Sequence, residues 1–139
     1  IGHVIADASV AGLSPEGWAR AVAKCAAKHG ADKVVAEKNQ GGDMVKSVLR
    51  AADIAMPVRL VHVSRGKAAR AEPVAALYEA GRVKHAGRFP ALEDELCGLS
   101  AGGGYDGPGR SPDPADALVW ALTELMLGRR RAAKVRGLG

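Results

Sequence analysis

A short apolar strand that ends in a carboxylate and runs straight into a glycine turn constrains this chain more than any other feature. In the run Lys33-Val34-Val35-Ala36-Glu37-Lys38-Asn39-Gln40-Gly41-Gly42-Asp43-Met44, the residues Val34, Val35 and Ala36 read as a short, fully buried strand. Glu37 is then the first side chain able to leave the core, at the carboxyl end of the strand, where open α/β sheets gather their ligands. The glycine pair allows a sharp turn and leaves space beside it, and Asn39, Gln40 and Asp43 are placed to line that turn. Asp43 reads equally well as an acid at a helix N-terminus, favoured by the dipole. By itself Glu37 reads no differently from a solvated strand-end acid.

The same alternation continues on both sides. A strand near Gly2 to Ala6 leads through Ser14-Pro15 into a helix with Trp18, Val22, Cys25 and Ala26 on one side, ending near Gly30. After the Val34 strand comes a helix from about Gly42 to Ala52 with Met44, Val45, Val48 and Leu49 inward, then a strand from Val58 to Val63 after the Met56-Pro57 break. Strand, helix, strand, helix, strand predicts a mostly parallel sheet with covering helices. Further on, Ser64-Arg65-Gly66-Lys67-Ala68-Ala69-Arg70 reads as a cationic loop, followed by a helix that ends at Gly81. Pro73 is expected in the first turn of that helix, which would then begin near Arg70 or Glu72. Arg82 to His85 fits a short edge strand, Pro90 to Leu99 a small amphipathic helix, and Ser100 to Ser111 a glycine-rich loop.

A second group of acids sits in Ser111-Pro112-Asp113-Pro114-Ala115-Asp116, the start of a helix carrying Leu118, Val119, Leu122, Leu125 and Met126. Ser111 or Asp113 can cap it, and a proline is tolerated in the first turn. Asp113 and Asp116 lie on nearly one face. Either they serve the cap and the dipole, or they stand opposite Glu37 in a carboxylate cluster. Like charges at close range ask for a cation, and hard oxygen ligands select Mg2+ or Mn2+.

With 139 residues the chain suits one domain with a real core. The formal charge of +5 is concentrated in Arg129, Arg130, Arg131, Lys134 and Arg136, a tail that is either merely solvated or phosphate-binding. Cys25 and Cys97 have no metal spacing and read as reduced core thiols of a cytosolic protein. Nothing reads as a signal peptide, a membrane span, a repeat or a glycine-rich phosphate loop.

Three stretches together resemble one family: Ala36-Glu37-Lys38-Asn39-Gln40-Gly41-Gly42-Asp43-Met44-Val45, the segment Gly66-Lys67 through Arg70-Ala71-Glu72-Pro73 to Gly81-Arg82-Val83, and Ser111-Pro112-Asp113 through Asp116-Ala117-Leu118-Val119-Trp120. They occur in the order found in the C-terminal nuclease domain of the large terminase subunit of tailed phages and prophages. The resemblance implies an RNase H-like α/β fold, a mixed sheet with helices on both faces, over residues 1–128, with 129–139 as a basic tail. It implies a divalent-metal-dependent endonuclease that cuts concatemeric double-stranded DNA with two Mg2+ or Mn2+ ions held by Glu37, Asp116 and the auxiliary Asp113. Glu37 and Asp116 are accordingly expected on one rim. Lys67 and Arg70, with Arg65, Asn39, Gln40 and His85, are expected on the DNA, although a lone histidine is more often a packing residue. The implied partners are an N-terminal ATPase domain of the same subunit, the portal and the small terminase subunit, in the host cytoplasm and without a membrane. One feature departs from the family: Ile1 to Asp7 looks like a later strand of the opening hairpin, so the strand bearing the first metal-binding aspartate is expected to be missing, with Asp7 a poor substitute. A non-catalytic module binding DNA or the portal, and another RNase H-like nuclease such as a junction resolvase or transposase, are the other readings.

Overall fold

The computed structural model describes residues 1–38, 42–51, 57–63, 66–99, 105, 107 and 112–127, with 42–45 described in backbone alone. The chain divides into two compact units, one made of Ala8–Ser64 and the other of Ile1–Asp7 with Arg65–Gly139. Asn39, Gln40, Arg65, Ser111 and the tail from Gly128 lie outside the described residues, as do most of the glycine-rich segment and the side chains of Asp43, Met44 and Val45.

In the Ala8–Ser64 unit, α1 (Pro15–His29) starts where its capping chemistry is written. Ser14 has extended backbone, and its Oγ accepts from the Gly17 N–H at 3.1 Å, while Pro15 takes the first helical position. Gly30 ends the helix in the left-handed region at φ 62°, a conformation only glycine adopts cheaply, and the Ala31 N–H closes back on the Ala26 carbonyl at 2.9 Å. β2 (Val34–Lys38) and β3 (Val58–His62) form a parallel ladder with register Val34↔Val58 to Lys38↔His62. α2 (Gly42–Ala51) connects them and packs on α1, with Leu49 fully buried. Val34, Val35 and Ala36 are half-buried, not fully buried as the apolar run suggested. The reason is that β2 has one hydrogen-bonded neighbour among the described residues, and a strand needs neighbours and covered faces to disappear from solvent.

The other unit has its own parallel pair, β1 (Gly2–Val4) beside β4 (Val83–His85), with Gly2↔Val83, His3↔Lys84 and Val4↔His85 in register. β1 is shorter than expected, since Ile5 is already exposed and Asp7 lies beyond the strand on the surface. The remaining elements are α3 (Lys67–Glu79), α4 (Pro90–Gly98) and α5 (Asp113–Met126). α5 is the centre: it packs against α3, α4 and β1. Val74 and Leu77 of α3, Leu92 of α4, Val4, Val83, and Val119, Leu122 and Met126 of α5 form one apolar cluster. Burying each large side chain contributes about 1.5–3 kcal/mol. Leu125, expected in this stripe, points outward and is exposed, while Ala115 takes a buried place on the inner face.

Three expectations are corrected here. α3 begins at Lys67, so Lys67 to Arg70 of the supposed cationic loop are the first turn of a helix, and Pro73 lies inside that helix. An interior proline costs about 3 kcal/mol. The helix runs through it because Val74 and Leu77 beyond the proline are core residues and Arg70 before it is held by α5. α5 has Pro112 at its N-cap with no side-chain cap, and Asp113 is already inside the helix. The cap comes from α4 instead: Glu95 Oε1 accepts from the Ala115 N–H at 3.0 Å. Cys97 is exposed and Cys25 half-buried, so neither is a buried core thiol, and both are free.

Candidate functional site

The N-terminus of α5 gathers the chemistry of its unit. Asp113 and Asp116 both lie in its first turn, where a carboxylate is favoured by the unpaired N–H groups and the dipole. Lys67 and Arg70 occupy the same spacing in the first turn of α3, where cations are disfavoured by that helix's own dipole. The two helices resolve this by pairing, Lys67 with Asp113 and Arg70 with Asp116, each across 46 positions of sequence. The result is a two-rung ladder with an i, i+3 repeat on both sides.

The rungs differ in environment. Arg70 Nη2 donates to both Asp116 oxygens at 2.8 Å, with the two side chains only 8% and 5% exposed. Its guanidinium lies 5.0 Å from the centre of the Trp120 ring, one turn further along α5, adding a cation–π contact. Lys67 and Asp113 form the outer rung, where the Asp113 side chain is 74% exposed. An exposed rung of this kind contributes about 0–1 kcal/mol, whereas removing one partner of the buried rung strands the other charge.

Of the residues expected at the site, Asp116 is therefore locked on Arg70, Asp113 is the carboxylate that solvent reaches, and Lys67 and Arg70 sit on the acids. Glu37 belongs to the other unit, within β2 one residue before its end, and is half-buried. His85, expected on DNA, is a strut: its Nε2 meets the Tyr78 hydroxyl at 2.7 Å and its Nδ1 meets Glu93 Oε2 at 2.8 Å. With Glu93 ionised, Nδ1 is the donor, and in the neutral ring Nε2 then accepts from Tyr78. The hydrogen bond from His85, with help from the Phe89 N–H, holds the Glu93 carboxyl below its ordinary range. Burial, with the Glu93 charge, pushes the Tyr78 hydroxyl up.

Carboxylate oxygens are the donors that hard divalent ions select. Asp113 at the start of α5 and, in the other unit, Glu37 each carry such donors, and among the described residues no group of three or more His, Cys, Asp or Glu side chains stands together. Sequence reasoning missed the ladder, the Glu95 cap and the His85 strut. The ladder left one trace, the matched spacing of Lys67/Arg70 and Asp113/Asp116; the other two left none.

Parallel strands joined by helices give the chain an α/β architecture. The family model described as the Terminase RNaseH-like domain matches residues 2–125, and the chain belongs to that family. Its fold is thus RNase H-like and its role that of a terminase nuclease-type module. Neither a curated protein nor a solved structure matches the chain significantly.

Proposed function

We propose that this chain is the DNA-cutting domain of a viral genome-packaging terminase, which hydrolyses phosphodiester bonds of concatemeric double-stranded DNA with divalent metal ions. The family match over residues 2–125 carries this reading, and the exposed carboxylate at the start of α5 agrees with it. Bound Mg2+ or Mn2+ would supply an activated water and stabilise the leaving oxygen.

Asp113 and Glu37 are the proposed ligands. Asp116 holds Arg70 and, through it, the start of α5, so its part is to position Asp113. This departs from the simplest transfer of the family resemblance, which makes Asp116 a ligand. A carboxylate 5% exposed with both oxygens on one guanidinium would have to break a buried ion pair before it could serve. Lys67 sits beside Asp113 at the surface, where it neutralises the acid and can pass to a DNA phosphate. Phosphate contacts of this kind position DNA without reading sequence, so weak base preference follows. The partners of this reading are the N-terminal ATPase domain of the same subunit, the portal and the small subunit, in the host cytoplasm. No helix among the described residues is long and apolar enough to cross a membrane.

Plasmid cleavage tests it. The chain should nick supercoiled DNA with Mn2+, and Glu37→Ala should abolish nicking. A chain that binds DNA but never cuts would leave the non-catalytic module as the answer.

A further inference from the structure

We propose that the open groove between α3 and α4 is a docking site for a basic amphipathic helix of a partner protein. The groove has a volume of about 460 Å³ and lies wholly within one unit, floored by Val74 and Val119 of the core. α3 supplies its wall because that helix is apolar on two sides. Val74 and Leu77 face the core, while Ala68, Ala71, Ala75 and Tyr78 repeat at i, i+3, i+7 and i+10 along the groove. Leu96 and Leu99 form the opposite wall. Alanines on one wall let a helix backbone approach closely, and the length suits anchors at i, i+3, i+4 and i+7 of a docked helix.

Charge selects the occupant. Glu72 and Glu79 on α3 and Glu93 at the start of α4 line the groove, and no lysine or arginine is among its described lining residues, although the chain has 20 basic against 15 acidic residues. Glu72 and Glu79 are exposed, and the His85 strut fixes Glu93 on the far side. An acidic rim around an apolar floor repels nucleic acid and attracts a helix whose apolar stripe is flanked by lysine or arginine. The ladder of Lys67 and Arg70 with Asp113 and Asp116 takes no part in this lining. The groove thus serves a partner whether or not the carboxylates of α5 hold metal.

The probe is a fluorescein-labelled synthetic helix of about 18 residues, long enough to fold on docking, with leucines at i, i+3, i+4 and i+7 and lysines beside them. Its binding to the full chain is read by anisotropy. Micromolar binding is expected, weakened about tenfold or more, or about 1.4 kcal/mol, by Ala75→Arg and separately by Glu72→Lys with Glu79→Lys. Both variants alter exposed positions, and thermal melts check that they stay folded. Equal binding by both variants and the parent overturns the proposal, as does equal binding of a peptide with glutamates in place of its lysines. Three other results overturn it by naming a different occupant: self-association abolished by Ala75→Arg, peptide affinity raised by removing residues 129–139, or competition between peptide and duplex DNA.

Discussion

Cutting the buried rung of the ladder is the sharpest perturbation of the structure. Arg70→Ala leaves the Asp116 carboxyl group at 5% side-chain exposure without its guanidinium, and Asp116→Ala strands Arg70 at 8%. Breaking a buried pair from either side costs about 3–5 kcal/mol. Arg70→Ala also loses the stacking on Trp120, about 0.5–2 kcal/mol. Against a total stability of about 5–15 kcal/mol, either change consumes about a fifth or more, and near 4 °C per kcal/mol it lowers Tm by about 12–20 °C. Replacing both partners, as in Arg70→Leu with Asp116→Leu, should cost far less than the sum, because no charge is then left behind. The assay is urea unfolding by tryptophan fluorescence in a Trp18→Phe background, which leaves Trp120 beside Arg70 as the sole reporter. Single substitutions that each cost under about 1 kcal/mol, or a double variant as damaged as the two singles added, would refute the claim that this pair is buried and coupled.

Glu95→Ala should cost about 1 kcal/mol in the same assay, since Pro112 offers α5 no side-chain cap and Glu95 supplies one from α4. The depressed Glu93 carboxyl contributes stability above the ordinary glutamate pKa that is lost as pH falls through its lower folded value. Acid titration of stability should therefore drop below that range, and Glu93→Gln should flatten the drop. For DNA, Lys67→Ala should lower the slope of log affinity against log salt by about one and leave sequence preference unchanged. If only removal of the tail after Gly128 affects binding, the DNA does not lie across the start of α5.

Much of the fold is legible because its signals are local. Ser14-Pro15 and Gly30 bracket α1 as capping chemistry requires, and the apolar runs at Val34 and Val58 mark two strands that do pair in parallel. Pro73 misleads for the opposite reason. Its cost is local, whereas the core contacts and the Arg70 pair that carry the helix through it come from α5. The acids of Ser111 to Asp116 are visible in sequence as a helix start, but not that Asp116 is spent on a guanidinium 46 residues earlier. Asp113 and Asp116 look equivalent on a helix face, and only packing separates them into an exposed carboxylate and a buried one. His85 looks like a solitary histidine until β4 and the helices on either side bring Tyr78 and Glu93 to its two nitrogens.

The central proposal is that Glu37 and Asp113 serve as metal ligands, while Asp116 is held on Arg70. Calorimetric titration of Mn2+ into the parent chain, Glu37→Ala and Asp113→Ala, each first shown to melt like the parent, tests it directly. Weak binding by the parent that disappears in both variants is the predicted result. Unchanged Mn2+ binding in both folded variants would contradict it.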